Sequence, residues 1–537
     1  HSSSSKHHSR PRRLYGSRES SRGARRLITS ARNERLNECA LFHFFPSFVT
    51  TTNDKNTHAS SHTDRPKEES FDPSIMCARA VVAVASAIAS CSSSAVLDRS
   101  RSRRQFQRER YPNALRSSTT VERRRRVRAD ASPSSTFDWV PADASAMRLA
   151  EPKTSQPLKV AVLLSGGVDS SVALSLLRAA GHECVAFYLQ IWFQEDFRNT
   201  WDQCPWEEDL KVAEAVCERV GVRLETVPLT EEYWNLVVKD SVEEIRRGRT
   251  PNPDVLCNSR VKFGAFREWL AKTHPGEFDR VASGHYAAVE RDEETGEARL
   301  VMSGDPFKDQ TYFLADLSQE QLRSVCFPVG GMPKAEIRAL ANSAALPNAG
   351  RKDSQGICFL GKVKFSEFIA EHLGEMPGDI IEVETGKVLG KHRAYWFHTI
   401  GQRSGLFLSG GPWYVAGKDC VNNIVYVTRD YYSLDKARDN FTVAGFNWVS
   451  GAEPDVENID GLRVKVRHGE KMYDCSFKFR EVNGDRAADI KINEDDQGLA
   501  PGQYAVFYDG SNCLGCGKIL EPTVGAIGLI PQTNDAA

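Results

Sequence analysis

The chain has 537 residues, 40% of them hydrophobic, with 70 basic and 71 acidic side chains and a net charge of −1. That length accommodates two or three domains with cores of their own, and thirteen cysteines, scattered singly except for Cys513-Leu-Gly-Cys516, exclude a disulfide-stapled miniprotein. The charge is divided: residues 1–130 hold 26 Lys and Arg against 12 Asp and Glu, so a basic leader precedes an acidic body that bulk attraction cannot hold on nucleic acid.

The chain begins at His1, and residues 1–75 are rich in Ser, His and Arg without a sustained period. They read as a disordered extension or translated upstream sequence. Behind Met76, Ala80 to Ser94 is small and Ser/Ala-rich, and Arg99 to Arg128 is dense in arginine and poor in acids. This is transit-peptide composition, so residues 76–130 are expected to address an organelle, plastid or mitochondrion, with 131–157 as a linker. The Ala80–Ala89 run is too short to span a bilayer, and no membrane partner is expected.

From Leu158 the pattern alternates strand and helix. Leu158 to Leu164 predicts a buried parallel strand, and Val172 to Ala180 the helix behind it. Between them lies Ser165-Gly166-Gly167-Val168-Asp169-Ser170-Ser171. A Gly-Gly turn at a helix N-terminus lets backbone N–H groups close on a phosphate, with Ser170 and Ser171 as hydroxyl donors and Asp169 as a candidate to hold magnesium. Neither G-x-x-x-x-G-K-[ST] nor G-x-G-x-x-G is present. Further strands are predicted at Glu183–Trp192, Arg223–Val227 and Phe278–Ala282. Helices are predicted at Glu207–Val220, Glu231–Arg247, Ser259–Thr273, Ser318–Val325 and Pro333–Ala345. Such alternation implies an α/β fold, a parallel sheet covered on both faces, with ligands at the carboxyl ends of its strands. After about Asp379 short strands and turn signals (Glu384-Thr-Gly386, Val421-Asn-Asn423, Asn483-Gly484) imply an antiparallel barrel or sandwich. The domains are accordingly 158–365 (catalytic), 366–436 (small, central), 437–522 (C-terminal barrel) and 523–537 (tail).

Two cysteines stand in polar, basic, Gly/Pro-punctuated loops. In Thr250-Pro-Asn-Pro-Asp-Val-Leu-Cys257-Asn258, Asn258 is expected to cap a helix beginning at Ser259. Cys257 would then sit at a helix N-terminus, which favours thiolate. Six basic residues (Arg246, Arg247, Arg249, Arg260, Lys262, Arg267) against the single acid Asp254 would strengthen this and offer phosphate contacts. Cys358, in Asp353-Ser-Gln-Gly-Ile-Cys-Phe359, has Arg351, Lys352, Lys362 and Lys364 nearby. Cys204, Cys217, Cys326 and Cys475 lack such context and read as structural. Cys513-x-x-Cys516 supplies only two of four zinc ligands and reads as incidental, and no metal centre is expected.

The Ser165–Ser171 loop resembles the PP-loop of the ATP pyrophosphatases. Together with Gly284-His285-Tyr286, Lys308-Asp309-Gln310, Thr250–Asn258, Asp353–Phe359, His398-Thr-Ile-Gly-Gln-Arg403, Gly411-Pro-Trp-Tyr-Val415 and Pro501-Gly-Gln503, in matching order, it resembles the tRNA-specific 2-thiouridylases across roughly Lys159 to Glu521. The resemblance implies a Rossmann-like PP-loop domain, a small central domain and a C-terminal antiparallel β-barrel. It implies ATP with Mg2+, adenylation of the wobble uracil O2 in the tRNA anticodon arm, and sulfur from a cysteine desulfurase route carried as a persulfide on Cys358. Cys257 is implied as the partner nucleophile, acting directly or through a transient disulfide with Cys358, and Asp254 as a base-proximal proton-transfer group. Leu189 and Gly284 correspond to further ATP-site positions, Leu189 standing where relatives often have methionine. Asn252, Pro253 and Asp254 correspond to positions that meet the target base. His285, Lys308, Asp309, Gln310, Arg467, His468 and Gln503 correspond to tRNA contacts, although Arg467 and His468 read equally as a solvated strand end and His285 as a satisfied loop histidine. His398 and Arg403 are expected to support the domain junction. A monomer is expected. A different PP-loop enzyme would bring a glutaminase domain or a cluster-binding C-x-x-C in its catalytic domain, and a pure RNA-binding module would have a damaged loop; neither pattern is seen.

Overall fold

The computed structural model describes residues 137–147, 150, 156–191, 205–292, 294–352, 365–431, 438–482, 484–496 and 498–522, all within one compact unit. The leader, the tail, Cys204 and the whole Asp353–Phe359 segment with Cys358 lie outside them. Among the described residues no helix is long and apolar enough to cross a membrane.

The first strand, β1 (Lys159–Leu163), is buried on both faces beyond its first residue, which is why its sequence is a continuous apolar run rather than an alternation. It pairs in parallel with β2 (Glu183–Gln190) and β4 (Arg280–Ala282). With β3 (Arg223–Pro228) and the short β7 (Val325–Cys326) they form a five-stranded parallel sheet of order β3-β2-β1-β4-β7. The helices α1 (Val168–Ala179), α2 (Pro205–Val220), α3 (residues 230–246), α4 (253–273), α5 (Gln319–Ser324) and α6 (Lys334–Ser343) cover it. Two apolar clusters fill its two faces, one around Phe187, Phe266 and Val281, the other around Leu164, Leu174 and Ile337.

Beyond α7 (Phe365–Leu373), the central domain is a four-stranded sheet of order β10-β11-β8-β9, formed by β8 (Gly378–Glu382), β9 (Val388–His392), β10 (Tyr414–Asp419) and β11 (Ile424–Thr428). Its turns carry the anticipated signals: Gly386 and Asn423 both have positive φ. The C-terminal strands are β12 (Asn440–Trp448), β13 (Arg463–Lys465), β14 (Tyr473–Val482), β15 (Asp485–Ile492), β16 (Tyr504–Asp509) and β17 (Asn512–Pro522). They run in the order β12-β15-β14-β13-β16-β17, and β17 returns to pair with β12, closing a barrel. Phe441, Val464, Phe477 and Phe507 fill it.

One feature was invisible in the chain's local patterning. A hairpin of the catalytic domain, β5 (Ala288–Arg291) and β6 (Ala298–Val301), joins the barrel through β17, with Cys513 opposite Leu300. The sheet therefore continues from one domain into the other. Cys513 and Cys516 lie buried within β17, and burial raises both thiol pKa values well above the usual range.

Candidate active site

The PP-loop is built from contiguous residues. Gly166 adopts φ +76° and a Cβ there would stand 2.6 Å from the Asp209 carbonyl oxygen, so the turn requires glycine. Its carbonyl accepts hydrogen bonds from Asn348 Nδ2 (2.9 Å) and Arg351 (3.1 Å). Ser170 Oγ and Ser171 Oγ both donate to the Gly167 carbonyl, at 3.1 and 2.8 Å, and hold the first turn of α1. Ser165 is exposed at the lip, with its Oγ 3.3 Å from Ser170 Oγ. A cavity of about 410 Å³ lies beside the loop, lined by Lys211, Asn348 and Arg351 among others. Leu189 stands half-buried at the carboxyl end of β2, one strand over.

A lysine reaches this loop from far along the chain. Lys334, the first residue of α6, places Nζ 2.6 and 2.9 Å from the two carboxylate oxygens of Asp169, and Tyr286 OH donates to the same carboxylate at 2.8 Å. Asp305 accepts from the Lys334 backbone N–H and fixes the start of that helix. Sequence reasoning found no lysine in the loop motif. The only signal was position, just after a strand of the parallel sheet, where ligands gather. Asp169, expected as a candidate to hold magnesium, is paired here with Lys334 and hydrogen-bonded by Tyr286. Among the described residues no group of three or more His, Cys, Asp or Glu converges on a metal-sized site.

The Cys257 segment also differs from expectation. The helix begins six residues earlier than predicted, with Asn252 as its cap: Asn252 Oδ1 accepts from the Val255 N–H at 3.3 Å, and Pro253 occupies the first helical position. A proline directly after an Asn cap begins a helix, which is why the helix starts ahead of Ser259. Cys257 therefore lies beyond the first turn, where the dipole has faded, and is 1% exposed. Residues Cys257–Ala265 follow a π-helical register, a form often found at functional sites. Gln321 Nε2 donates to the carbonyls of Ser259 and Phe263. Asn258, predicted as the cap, instead donates to the Phe313 carbonyl and accepts from Lys262. Asp254 is the half-exposed side chain of the segment.

The anticipated basic patch is also largely paired. Arg246 and Arg247 meet Glu243, Arg249 meets Glu244, Arg260 meets Asp240 and Arg267 meets Glu320. Three of these carboxylates precede the Arg246–Arg267 stretch and one follows it, which is why that stretch by itself overstated the positive field. Apart from Arg249 with the buried Glu244, these pairs are open to solvent and contribute about 0–1 kcal/mol each, so those arginines can exchange a carboxylate for a phosphate at small cost.

The loop Ser283–Tyr286 connects the two halves. Gly284 packs on the PP-loop so closely that a Cβ would stand 2.4 Å from the Ser170 backbone nitrogen. His285 packs against Phe263 of α4 at 5.8 Å and shares a 2.7 Å hydrogen bond with Ser283 Oγ. Burial, with Lys262 adding to it, drives its pKa well below the ordinary value and keeps it neutral. Gln310 Oε1 accepts from the Tyr286 N–H, joining Lys308–Gln310 to the same loop. Lys308 is exposed. Asp309 is not: it forms a fully buried ion pair with Lys465 of β13 at 2.9 Å and accepts from Thr311 Oγ1, so its side chain cannot reach RNA. Arg467 pairs with the buried Asp496, and His468 stacks on Phe313 at 4.6 Å, so neither is merely a solvated strand end.

A PP-loop at the carboxyl edge of a parallel sheet, coupled through one loop to a helix-borne thiol and to a β-barrel, defines a nucleotide-dependent α/β enzyme with an appended barrel. Family models match in the same order: a tRNA methyl transferase HUP domain over 158–362, a tRNA methyl transferase PRC-barrel domain over 366–429 and an aminomethyltransferase β-barrel domain over 438–519. The tRNA-specific 2-thiouridylase MnmA of Parabacteroides distasonis is 42% identical over 370 residues, 68% of this chain and 100% of that protein. The MnmA of Porphyromonas gingivalis strain ATCC 33277 is 42% identical over 371 residues, covering 68% and 99%. The chain belongs to the tRNA-specific 2-thiouridylase family. Among solved structures, the U34-tRNA thiolase NcsA from Methanococcus maripaludis aligns over 42% of this chain and 71% of its own at 16% identity, with a TM-score of 0.25.

Proposed function

We propose that this chain catalyses ATP-dependent 2-thiolation of the wobble uridine in the tRNA anticodon arm. The observation that carries the reading is the Ser283–Tyr286 loop, which packs on the PP-loop on one side and on the Cys257 helix on the other, in a chain that spans its 2-thiouridylase relatives end to end. A ring carbonyl oxygen is a poor leaving group. Attack of uracil O2 on the α-phosphate of ATP expels pyrophosphate and turns that oxygen into part of AMP. The PP-loop N–H groups are suited to stabilise charge on the departing pyrophosphate, and two cations reach the loop, Lys334 at Asp169 and Arg351 at the Gly166 carbonyl. The terminal sulfur of a Cys358 persulfide, loaded from a cysteine desulfurase, then attacks C2 and expels AMP. The Cys257 thiolate attacks the Cys358 sulfur, closing a Cys257–Cys358 disulfide and releasing 2-thiouridine; cellular thiols reopen the disulfide. Asp254, half-exposed beside the thiol, handles the proton. Mg2+ would travel with the ATP, and no step is routed through it. The Arg-rich leader supports an organellar address, plastid or mitochondrion. Purified protein with tRNA, ATP, a cysteine desulfurase with cysteine as sulfur source, and a thiol reductant should yield 2-thiouridine and AMP by nucleoside mass spectrometry. ATP consumption without 2-thiouridine would sink the assignment. Loss of 2-thiouridine from one organelle's tRNA on depleting the protein tests the address.

A further inference from the structure

Gln503, at the entrance to β16, is 5% exposed, and its whole amide is engaged by the catalytic domain. Its Nε2 donates to the carbonyls of Thr250 (2.9 Å) and Pro251 (3.1 Å). Its Oε1 accepts from Asn252 Nδ2 (3.3 Å), and Tyr312 OH, which donates to the Tyr504 carbonyl at 3.0 Å, lies 3.5 Å from the same oxygen. A primary amide has two N–H groups and one oxygen with two lone pairs, so no polar atom is left over for RNA. The backbones are pressed together at this point: Thr250 N–H donates to the Pro501 carbonyl at 2.7 Å. A Cβ on Gly502, which has φ +90°, would stand 2.9 Å from Arg249 Cβ.

The bonds have a fixed polarity. Two carbonyls demand the Gln503 NH2, which turns Gln503 oxygen toward Asn252. That orients the Asn252 NH2 toward Gln503 and leaves Asn252 Oδ1 for the Val255 N–H, the cap of the helix that carries Asp254 and Cys257. We propose that Gln503 is a positioning residue for sulfur transfer: through Asn252, the C-terminal barrel sets where the Cys257 helix begins and keeps its thiol covered until substrate is bound. The proposal rests on the reading of Cys257 given above.

The test uses the full chain with Gln503→Met, which keeps the volume without the donors, and Gln503→Glu, which points a carboxylate at two carbonyls. Peptide-mapped alkylation of Cys257 without RNA should accelerate about tenfold in both, because local opening of the segment becomes easier. kcat for thiolation should fall while the tRNA KM and the salt dependence of tRNA binding stay unchanged. Combining Gln503→Met with Asn252→Ala should add little to either single change in alkylation rate, because both break the same relay. A raised tRNA KM with unchanged Cys257 alkylation would make Gln503 an RNA contact and overturn the proposal, as would additive effects in the double variant. If the wild-type chain makes no 2-thiouridine, the functional reading fails, while the alkylation arm still decides whether Gln503 holds the segment. If thermal unfolding shows that one variant does not fold, the other decides.

Discussion

The PP-loop and the Cys257 segment are two short, glycine- or proline-marked stretches of one domain, but they are held in different ways. The PP-loop is contained in its own strand–turn–helix unit. Its serines bond to its own Gly167 carbonyl, and among the described residues Tyr286, Lys334, Asn348 and Arg351 reach it from elsewhere with hydrogen bonds. The Cys257 segment depends on others: its cap is oriented by Gln503 some 250 positions away, and its π-helical carbonyls are bonded by Gln321. The nucleotide loop is thus specified locally, whereas the thiol proposed above to handle sulfur is placed by the docking of a second domain.

The comparison can be broken at several points. The largest effect is expected from Cys257→Ser, which should lower thiolation by about 10³-fold or more while equilibrium ATP binding stays at the wild-type value; weakened ATP binding would mean the two regions are not separable. Next is Lys465→Met, which strands Asp309 in a fully buried site. It should cost about 3–5 kcal/mol of stability, measured by urea unfolding. Pairing it with Asp309→Leu should restore most of that, since two apolar groups leave no buried charge.

A third prediction uses the central domain as a control outside both regions. His398 is held near pKa 4 by burial, with His392 and Lys418 adding to it. Its folded pKa lies below the unfolded value of about 6.5, so below that pH the unfolded state binds the extra proton. Stability should therefore be intact above pH 6.5 and fall by about 3 kcal/mol as pH drops to 4. His398→Phe should flatten that limb of a chemical-denaturation profile; an unchanged acid limb would show that His398 is not its source. The smallest effect is expected from Lys334→Met, which should slow pyrophosphate release by about 10²-fold and leave Cys257 alkylation unaltered. If alkylation also shifts, the PP-loop is less self-contained than its bonds imply.

Much of the fold was legible before any coordinates. The apolar run of β1, the Gly-Gly turn and the positive-φ turn signals each express a local rule, periodicity or backbone freedom, and the structure follows them. The failures share one cause. Asn258 precedes the Ser259 helix in the sequence pattern, but the bonds that make Asn252 the cap come partly from the barrel. The arginines around Cys257 looked unopposed because Glu243, Glu244, Asp240 and Glu320 lie outside the stretch that was counted. Asp309, which corresponds by resemblance to a tRNA contact, is half of an interdomain ion pair.

The sequence by itself determined the parallel sheet, the PP-loop and the order of the domains, because each follows from neighbours within a few residues. Only the tertiary structure decided that Lys334 meets Asp169, that β5 and β6 extend the barrel, and that Gln503 governs the start of the Cys257 helix. Hydrogen bonds and ion pairs act over about 3 Å of space whatever the separation along the chain, so their partners become visible only when the chain has folded.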